Sequence, residues 1–426
     1  MKRALIITYY WPPAGGPGVQ RWLKFVTYLK YFGVEPIVYV PKDPHYPLVD
    51  EDLLEDVPNN ITVLKQPIKE PYRFAKLFSK KKTEAMSSGI LPKKKQSIVE
   101  RLLLYIRGNF FIPDARIGWV KPSVSFLKDY LNNEAVDVVI TTGPPHSLHL
   151  IGLQLKQHLG IKWLADFRDP WTTIHYHKSL QLTGASERKH KELEKKVLNT
   201  ADRITVTSPR TKEEFEQITK SPISVITNGY EEVVIGEVAL DTSFSLAHIG
   251  SLLSERNPKI LWEVLAELAS ESSDFSQDLE IVLVGAVSES IHDTISDYGL
   301  QSNCKVVGYV SHAEALQFQH RSQLLLLIEM DRPETRAIIP GKLFEYMAAK
   351  RPIIAIGPAE SDVEQLLTKT RAGDYFLYNQ KAELKETICR LYSTFKEGKI
   401  TIDSDSVKQF SRKALTEKLA TLIKQL

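Results

Sequence analysis

One alternation, repeated twice, constrains this chain most: a short apolar run, a segment with helical spacing, then another apolar run, from residue 4 to residue 357. It encodes parallel α/β structure, because a strand buried on both faces needs a crossover helix to reach its parallel neighbour. In the first half the expected strands are ALIIT (4–8), PIVYV (36–40), ITVLK (61–65), VDVVIT (136–141), IKWLAD (161–166), RITVT (203–207) and ISVIT (223–227). Helices are expected over 20–31, 147–158, 186–199 and 210–218. The pattern restarts with FSLAHIG (244–250), LEIVLVG (279–285), CKVVGY (304–309), QLLLLIE (323–329) and PIIAIG (352–357). Helices over 258–270, 288–298, 312–319, 341–349 and 361–368 fill the gaps. Between the halves, NGYEEVVIGEVALDT (228–242) has turn residues and no helical period. The expected fold class is α/β, with two doubly wound Rossmann-like domains, 1–230 and 231–404, facing across a cleft. Residues 405–426 read as one amphipathic C-terminal helix that can cross back to the first domain. Ligands of such sheets bind beyond the carboxyl ends of the strands.

A length of 426 residues exceeds one ordinary core and fits two. With 43% hydrophobic and 25% charged residues, general disorder is excluded. Two cysteines, Cys304 and Cys389, form no disulfide framework and fit a reducing compartment. The opening MKRALIITYYWPP has a basic tip, but its short apolar run ends at Trp-Pro-Pro without a small-residue cleavage site, so it reads as a strand. No run approaches the roughly 18 apolar residues of a membrane span. A cytoplasmic protein is expected.

Charge is unevenly spread. Residues 69–107 carry eleven Lys/Arg against three Glu, a net +8, which leaves −5 for the remainder of a chain whose total is +3. Tyr72, Phe74, Leu77 and Phe78, then LLLYI (102–106) and FFIP (110–113), are interleaved with that charge. Such an insertion suits an anionic membrane surface on the inner face. It equally suits a solvated loop, and both readings stand open. Nothing else in the chain supports nucleic-acid binding.

Four motifs fall at strand ends. TYYWPPAGGPGVQR (8–21) follows the first strand and opens the first helix; Gly15 and Gly16 allow close backbone approach, and the helix start offers free N–H groups to an anion. It is neither a dinucleotide fingerprint nor a Walker loop, and a purely structural turn is its alternative. LADFRDPW (164–171) puts Asp166, Arg168 and Asp169 where the chain leaves the sheet, and TTGPPHSLH (141–149) adds His146 and His149. These are acid, base or hydroxyl-binding candidates, against an Arg168–Asp169 ion pair with His146 as a cap. His146, His149, His175 and His177 match no metal-site spacing, so no metal is expected. HIGSLLSERNPKILWEVL (248–265) sets Arg256 at a phosphate-sized opening, or in an ordinary exposed loop.

IIPGKLFEYMAAKRPIIAIG (338–357) is the most informative stretch. Pro340-Gly341 starts a helix whose first N–H groups are free, Lys342 adds a cation, and Glu345 follows one turn in. A carboxylate there can accept both hydroxyls of a ribose while the helix end takes phosphates. A surface Lys–Glu pair is worth only tenths of a kcal/mol, which accounts for the residues but not for their placement. The nucleotide reading is therefore preferred.

On GGPGVQR, DFRDPW, ADRITVTSP (201–209), VITNGY (225–230), HIGSLLSERNP, VVGYVSHAEAL (306–316) and the PGKLFEYMAAKRP stretch, the chain resembles GT-B glycosyltransferases, most similar to family 4, over essentially its whole length. The resemblance implies retaining transfer of a sugar from a nucleotide-sugar donor to a glycan or lipid-linked acceptor, as in cell-surface polysaccharide synthesis. It implies an acceptor-binding first domain and a donor-binding second domain, with the nucleotide-sugar as substrate and no cofactor. The family's ribose-binding glutamate falls on Glu345. Its basic pair falls on Ser251 and Arg256, so one cation is missing. Backbone at Tyr309 and Val310 would meet the base, and Gly15–Gly16 the diphosphate. The family's other glutamate falls on Ala337, with Glu334 as a nearby substitute, and its acceptor-domain histidine falls near Asp166. The implied front-face mechanism has the donor phosphate take the acceptor proton while Arg256, Lys342 and helix N-termini stabilise the leaving diphosphate without metal. Asp166 and Asp169 complete the catalytic candidates, and His146 and Arg168 those on the acceptor or sugar side. A nucleotide-sugar epimerase and a non-catalytic binding protein remain alternatives.

Overall fold

The computed structural model describes residues 1–68, 70, 98–174, 177, 180–233, 236, 238–398, 400, 402 and 405–426. Most of the basic stretch 69–107 lies outside the described residues, as does His175. The chain divides into two compact units: Met1–Asn228 with Arg412–Leu426, and Gly229–Ser411.

The first unit runs β1 (Lys2–Ile7), α1 (Pro17–Leu29), β2 (Val34–Lys42), β3 (Thr62–Pro67), α2 (Ile98–Phe110), α3 (Ile117–Asn133), β4 (Val138–Gly143), α4 (Ser147–Leu159), β5 (Lys162–Phe167), α5 (Gly184–Thr200), β6 (Arg203–Val206), α6 (Pro209–Glu216) and β7 (Ile223–Val225). Its sheet has the order β3-β2-β1-β4-β5-β6-β7, all pairs parallel. The second unit runs β8 (Phe244–Ile249), α7 (Lys259–Glu271), α8 (Ser273–Asp278), β9 (Leu279–Val284), α9 (Glu289–Asp297), β10 (Cys304–Gly308), α10 (His312–Arg321), β11 (Leu324–Ile328), α11 (Gly341–Ala348), β12 (Ile353–Gly357), α12 (Asp362–Thr370), β13 (Gly373–Leu377) and α13 (Lys381–Lys396). Its parallel sheet has the order β10-β9-β8-β11-β12-β13.

In both sheets the order of connection reverses at one point, between β1 and β4 and between β8 and β11. The crevice beyond the carboxyl ends of such a strand pair is where doubly wound sheets take ligands. Side-chain alternation feeds two cores per sheet: Leu5 and Ile7 enter one face of the first, Ala4 and Ile6 the other. Leu246 and Ala247 divide the same way in the second.

Beyond the elements expected from the sequence, the structure adds helices α2, α3, α8 and α13 and strand β13, and it divides one expected helix. The single helix over 405–426 is a 3-10 turn, Asp405–Phe410, followed by α14 (Arg412–Lys424). Its apolar residues serve two cores, Val407 and Phe410 that of the second unit and Leu415, Leu419 and Ile423 that of the first, and one straight stripe cannot do both. Helix α3 escapes the pattern because Pro122 interrupts it, although Trp119, Val120, Val124 and Leu127 are buried. Strand β13, GDYFL, is an edge strand with only Phe376 buried, too little apolar signal to be seen.

Candidate active site

In the second unit the switch point is built around backbone contact. Gly250, at φ +112°, ends the passage from β8, and a Cβ on Gly285 would lie 2.7 Å from the Gly250 carbonyl. Tyr346 of α11, fully buried, ties down the same strand end: its hydroxyl accepts from the Ile249 N–H at 2.9 Å. That bond fixes α11 against β8. Its first residues, Gly341 and Lys342, follow Pro340, which supplies no side-chain cap; the Leu343 N–H donates to Pro340 O at 3.0 Å, and the N–H groups of Gly341 and Lys342 are left at the helix start.

The Lys342 side chain lies over Gly250, where a Cβ would approach within 2.7 Å of Nζ, and reaches His248 Nε2 at 3.4 Å. Desolvation, reinforced by Arg256 and opposed by Glu345, lowers its ammonium to about 8. Arg256 sits in the 3-10 turn Ser254–Arg256 after β8, partly exposed. Glu345 accepts from Gln319 Nε2 of α10 at 3.1 Å. Glu329, just past β11, accepts from Tyr375 at 2.8 Å and from Ser361 at 3.0 Å. Burial raises its carboxyl to about 7 against those bonds and the Arg256 charge. The structure thus gathers Gly341, Lys342, Glu345 and Arg256, together with His248, Gln319 and Glu329, which the sequence reading did not single out. His248 looks like filler in an apolar strand, and Gln319 is one polar residue on an amphipathic helix. Ser251 is exposed beside Gly250, Ala337 brings no charge, and Glu334 lies in the 3-10 turn Pro333–Thr335 beyond β11. Tyr309, 95% exposed, and Val310 follow β10, two strands from β8.

In the first unit, Gly16 at φ +104° is the N-cap of α1, and Gly15 donates its N–H to Leu48 O at 3.0 Å. Arg168 folds back onto this loop. Its Nη2 donates to Pro144 O, its Nη1 occupies the place a Cβ on Gly18 would need, and its guanidinium lies 5.9 Å from the Tyr10 ring centre. Asp169 lies next to it, partly exposed. His146 is stacked on Trp171 at 5.0 Å, and among the described residues neither of its nitrogens has a hydrogen-bond partner. Burial, aided by His149 and Arg168, holds it well below the ordinary histidine value, and His149 is lowered to about 3 by burial, against the Asp166 charge and with Arg168 adding to the shift. Both rings are neutral near pH 7. Among the described residues no three His, Cys, Asp or Glu side chains are grouped as metal ligands.

Asp166 sits differently from what its place at a strand end suggests. It is 1% exposed, and its oxygens accept from Trp22 Nε1 (3.0 Å), Thr142 (2.9 Å), Thr205 (2.8 Å) and Arg21 Nη2 (3.3 Å). A carboxylate offers about four lone-pair sites, and these are filled. Beyond β1 and β2 lies a pocket of about 680 Å³ lined by Trp11, Pro13, Lys42, His45, Tyr46 and Lys65, among others.

Two doubly wound parallel α/β units, each with its candidate groups at the switch point, define the GT-B architecture. Residues 88–232 match the family model described as Glycosyltransferase Family 4, and residues 243–394 the one described as Glycosyl transferases group 1. The chain belongs to the GT-B, family 4-like glycosyltransferases. Sucrose-phosphate synthase from Thermosynechococcus elongatus is 14% identical with a TM-score of 0.61, over 100% of this chain and 99% of that one. The Anabaena protein HepE, solved with UDP-glucose, is 13% identical with a TM-score of 0.61, over 100% of both. The lipopolysaccharide outer core galactosyltransferase WaaB is 13% identical with a TM-score of 0.60, also over 100% of both. At these identities the likeness is one of fold. No curated protein matches the sequence.

Proposed function

We propose that this glycosyltransferase moves a hexosyl or related sugar from a nucleotide-sugar donor, with retention, to a glycan or lipid-linked acceptor in cell-surface polysaccharide synthesis. One observation carries the reading: Lys342, Arg256 and the uncapped start of α11 converge at the switch point of the second unit, with Glu345 one turn in. The cations and free N–H groups suit a diphosphate, and Glu345, held by Gln319, suits the ribose hydroxyls. The base lies towards Tyr309 and Val310, and Glu334 contributes on the sugar side. In the transfer step the C1–O bond to the diphosphate breaks, the acceptor oxygen bonds to C1 on the same face, and its proton passes to the donor phosphate. Lys342 and Arg256 take up the charge left on the diphosphate, so transfer proceeds without metal.

The first unit supplies the acceptor side, with Arg168, Asp169 and His146 as its candidate groups and the pocket at Trp11 and Tyr46 seating a sugar ring against apolar walls. Asp166 acts here by fixing Arg21 and Trp22, not by meeting substrate. The enzyme works peripherally at the cytoplasmic face of the membrane. Helix α2 exposes Leu102, Leu103, Ile106 and Phe110 next to Arg101, in line with the basic sequence before it, which supports the placement.

Thermal unfolding with UDP, GDP, ADP and their sugars tests the donor site. A ligand at about a hundred times its dissociation constant adds roughly 2.7 kcal/mol, so one base should shift the transition and Glu345→Ala should abolish the shift. No shift with any nucleotide would sink the reading. Acceptor-dependent turnover, with the product anomer read by NMR, separates transfer from epimerisation and from mere binding. Loss of turnover in EDTA, restored by magnesium, would contradict metal independence.

A further inference from the structure

The family pattern puts a cation at 251, and this chain has Ser251 there. We infer that Lys342 supplies the missing cation from a different element, and that His248 is the positioning residue that seats it over Gly250. The inference rests on the donor site proposed above and adds a residue to it.

Three observations carry it. A side chain at 250 would stand within 2.7 Å of Nζ, so only a glycine lets the ammonium lie against the strand end beside Ser251. His248 is 1% exposed, and its ring is oriented by a hydrogen bond: Nδ1 lies 3.0 Å from Leu326 O. A carbonyl can only accept, so the proton is on Nδ1. A neutral ring then turns the lone pair of Nε2 towards Lys342 Nζ at 3.4 Å. Burial, with the adjacent Lys342 charge, holds the ring well below the ordinary histidine value and keeps it neutral. The Ser251 carbonyl also lies beside the ring.

The charges acting on Lys342 are Arg256, from the loop after β8, and Glu345, from its own helix; Glu329 beyond β11 faces Arg256. Arg256 pushes the ammonium towards deprotonation. The Nε2 acceptor opposes that push and fixes where the charge sits. Without it, the lysine is free to swing towards Glu345.

The test uses the full chain and two substitutions that divide the imidazole. In His248→Gln the side-chain oxygen reaches the Nε2 position and keeps the acceptor. In His248→Asn the amide keeps the bond to Leu326 O and loses the acceptor. Calorimetry with inorganic pyrophosphate at pH 7 should show His248→Gln near wild type, with His248→Asn and Lys342→Met weakened by about tenfold or more, the worth of a hydrogen bond to a charged group. Independently of any ligand, the pH profile of Lys342 acylation, read by mass spectrometry, should move to lower pH in His248→Asn and stay in place in His248→Gln. Folded variants that bind pyrophosphate alike and share the wild-type acylation profile would overturn the inference. Wild type failing to bind pyrophosphate would sink the donor reading, and the acylation profile would still decide the role of His248.

Discussion

Gln319 holds Glu345 from the neighbouring helix, its Nε2 donating to Oε2 at 3.1 Å. Gln319 is 1% exposed, so this bond aims the carboxylate from inside the protein. The free oxygen of Glu345 is then preset for a diol, and a ligand need not order it. Gln319→Leu keeps the volume and removes the donor. The donor KM should rise by about tenfold with kcat little changed, because ground state and transition state lose the same contact. Steady-state kinetics decides: a fall in kcat at constant KM would place Glu345 in the chemical step instead.

Asp166 and Arg21 form a buried pair, 1% and 4% exposed, at 3.3 Å. Burial raises the Asp166 carboxyl, but Arg21, Thr205 and Thr142 outweigh it and hold the group below its ordinary value. Asp166→Asn leaves Arg21 buried without a counter-charge and should cost about 3–5 kcal/mol by urea unfolding. The depressed carboxyl stabilises the fold above the ordinary aspartate value of 3.8, and that contribution disappears as pH falls below it. A variant of wild-type stability that has lost turnover would return Asp166 to the reacting groups.

The strands that the sequence discloses best are those buried on both faces. Every residue of β4, β8, β11 and β12 is buried; β11 and β12 read as continuous apolar runs, β4 and β8 as mostly apolar ones broken by Thr141, Thr142, Ser245 and His248, whereas edge strand β13 has a single buried residue. The helix start at Pro340-Gly341-Lys342 with Glu345 was legible because its parts are adjacent in sequence. His248 was not, because its partners Lys342 and Leu326 lie 94 and 78 residues away. The partner of Asp166 is hidden from the sequence in the same way. A charge at a strand end looks reactive until Arg21, 145 residues earlier, is seen to neutralise it.

Gly18 reports on Arg168. Its conformation is ordinary for helix α1, so alanine is favourable there on propensity, yet the new Cβ would occupy the place of Nη1. Gly18→Ala should leave unfolding near wild type and the donor-induced thermal shift intact, while acceptor-dependent turnover falls by about tenfold or more as the guanidinium is displaced. Unchanged turnover would remove Arg168 from the acceptor side.

Glu329 is the titrating group whose effect on stability is easiest to isolate. Its carboxyl, 5% exposed, is raised from an ordinary 4.5 to about 7, so the folded protein keeps a proton that the unfolded chain releases earlier. The contribution to stability is fully present below pH 4.5 and is lost as pH rises through about 7, by about 3 kcal/mol in all. Glu329→Gln mimics the protonated acid, and its amide oxygen can still accept from Tyr375 and Ser361. Unfolding free energies of wild type and variant should therefore run close together at pH 4.5 and diverge up to pH 8, with the variant the more stable. Parallel curves across that range would mean that Glu329 is ionised in the folded protein, with Arg256 as its counter-charge.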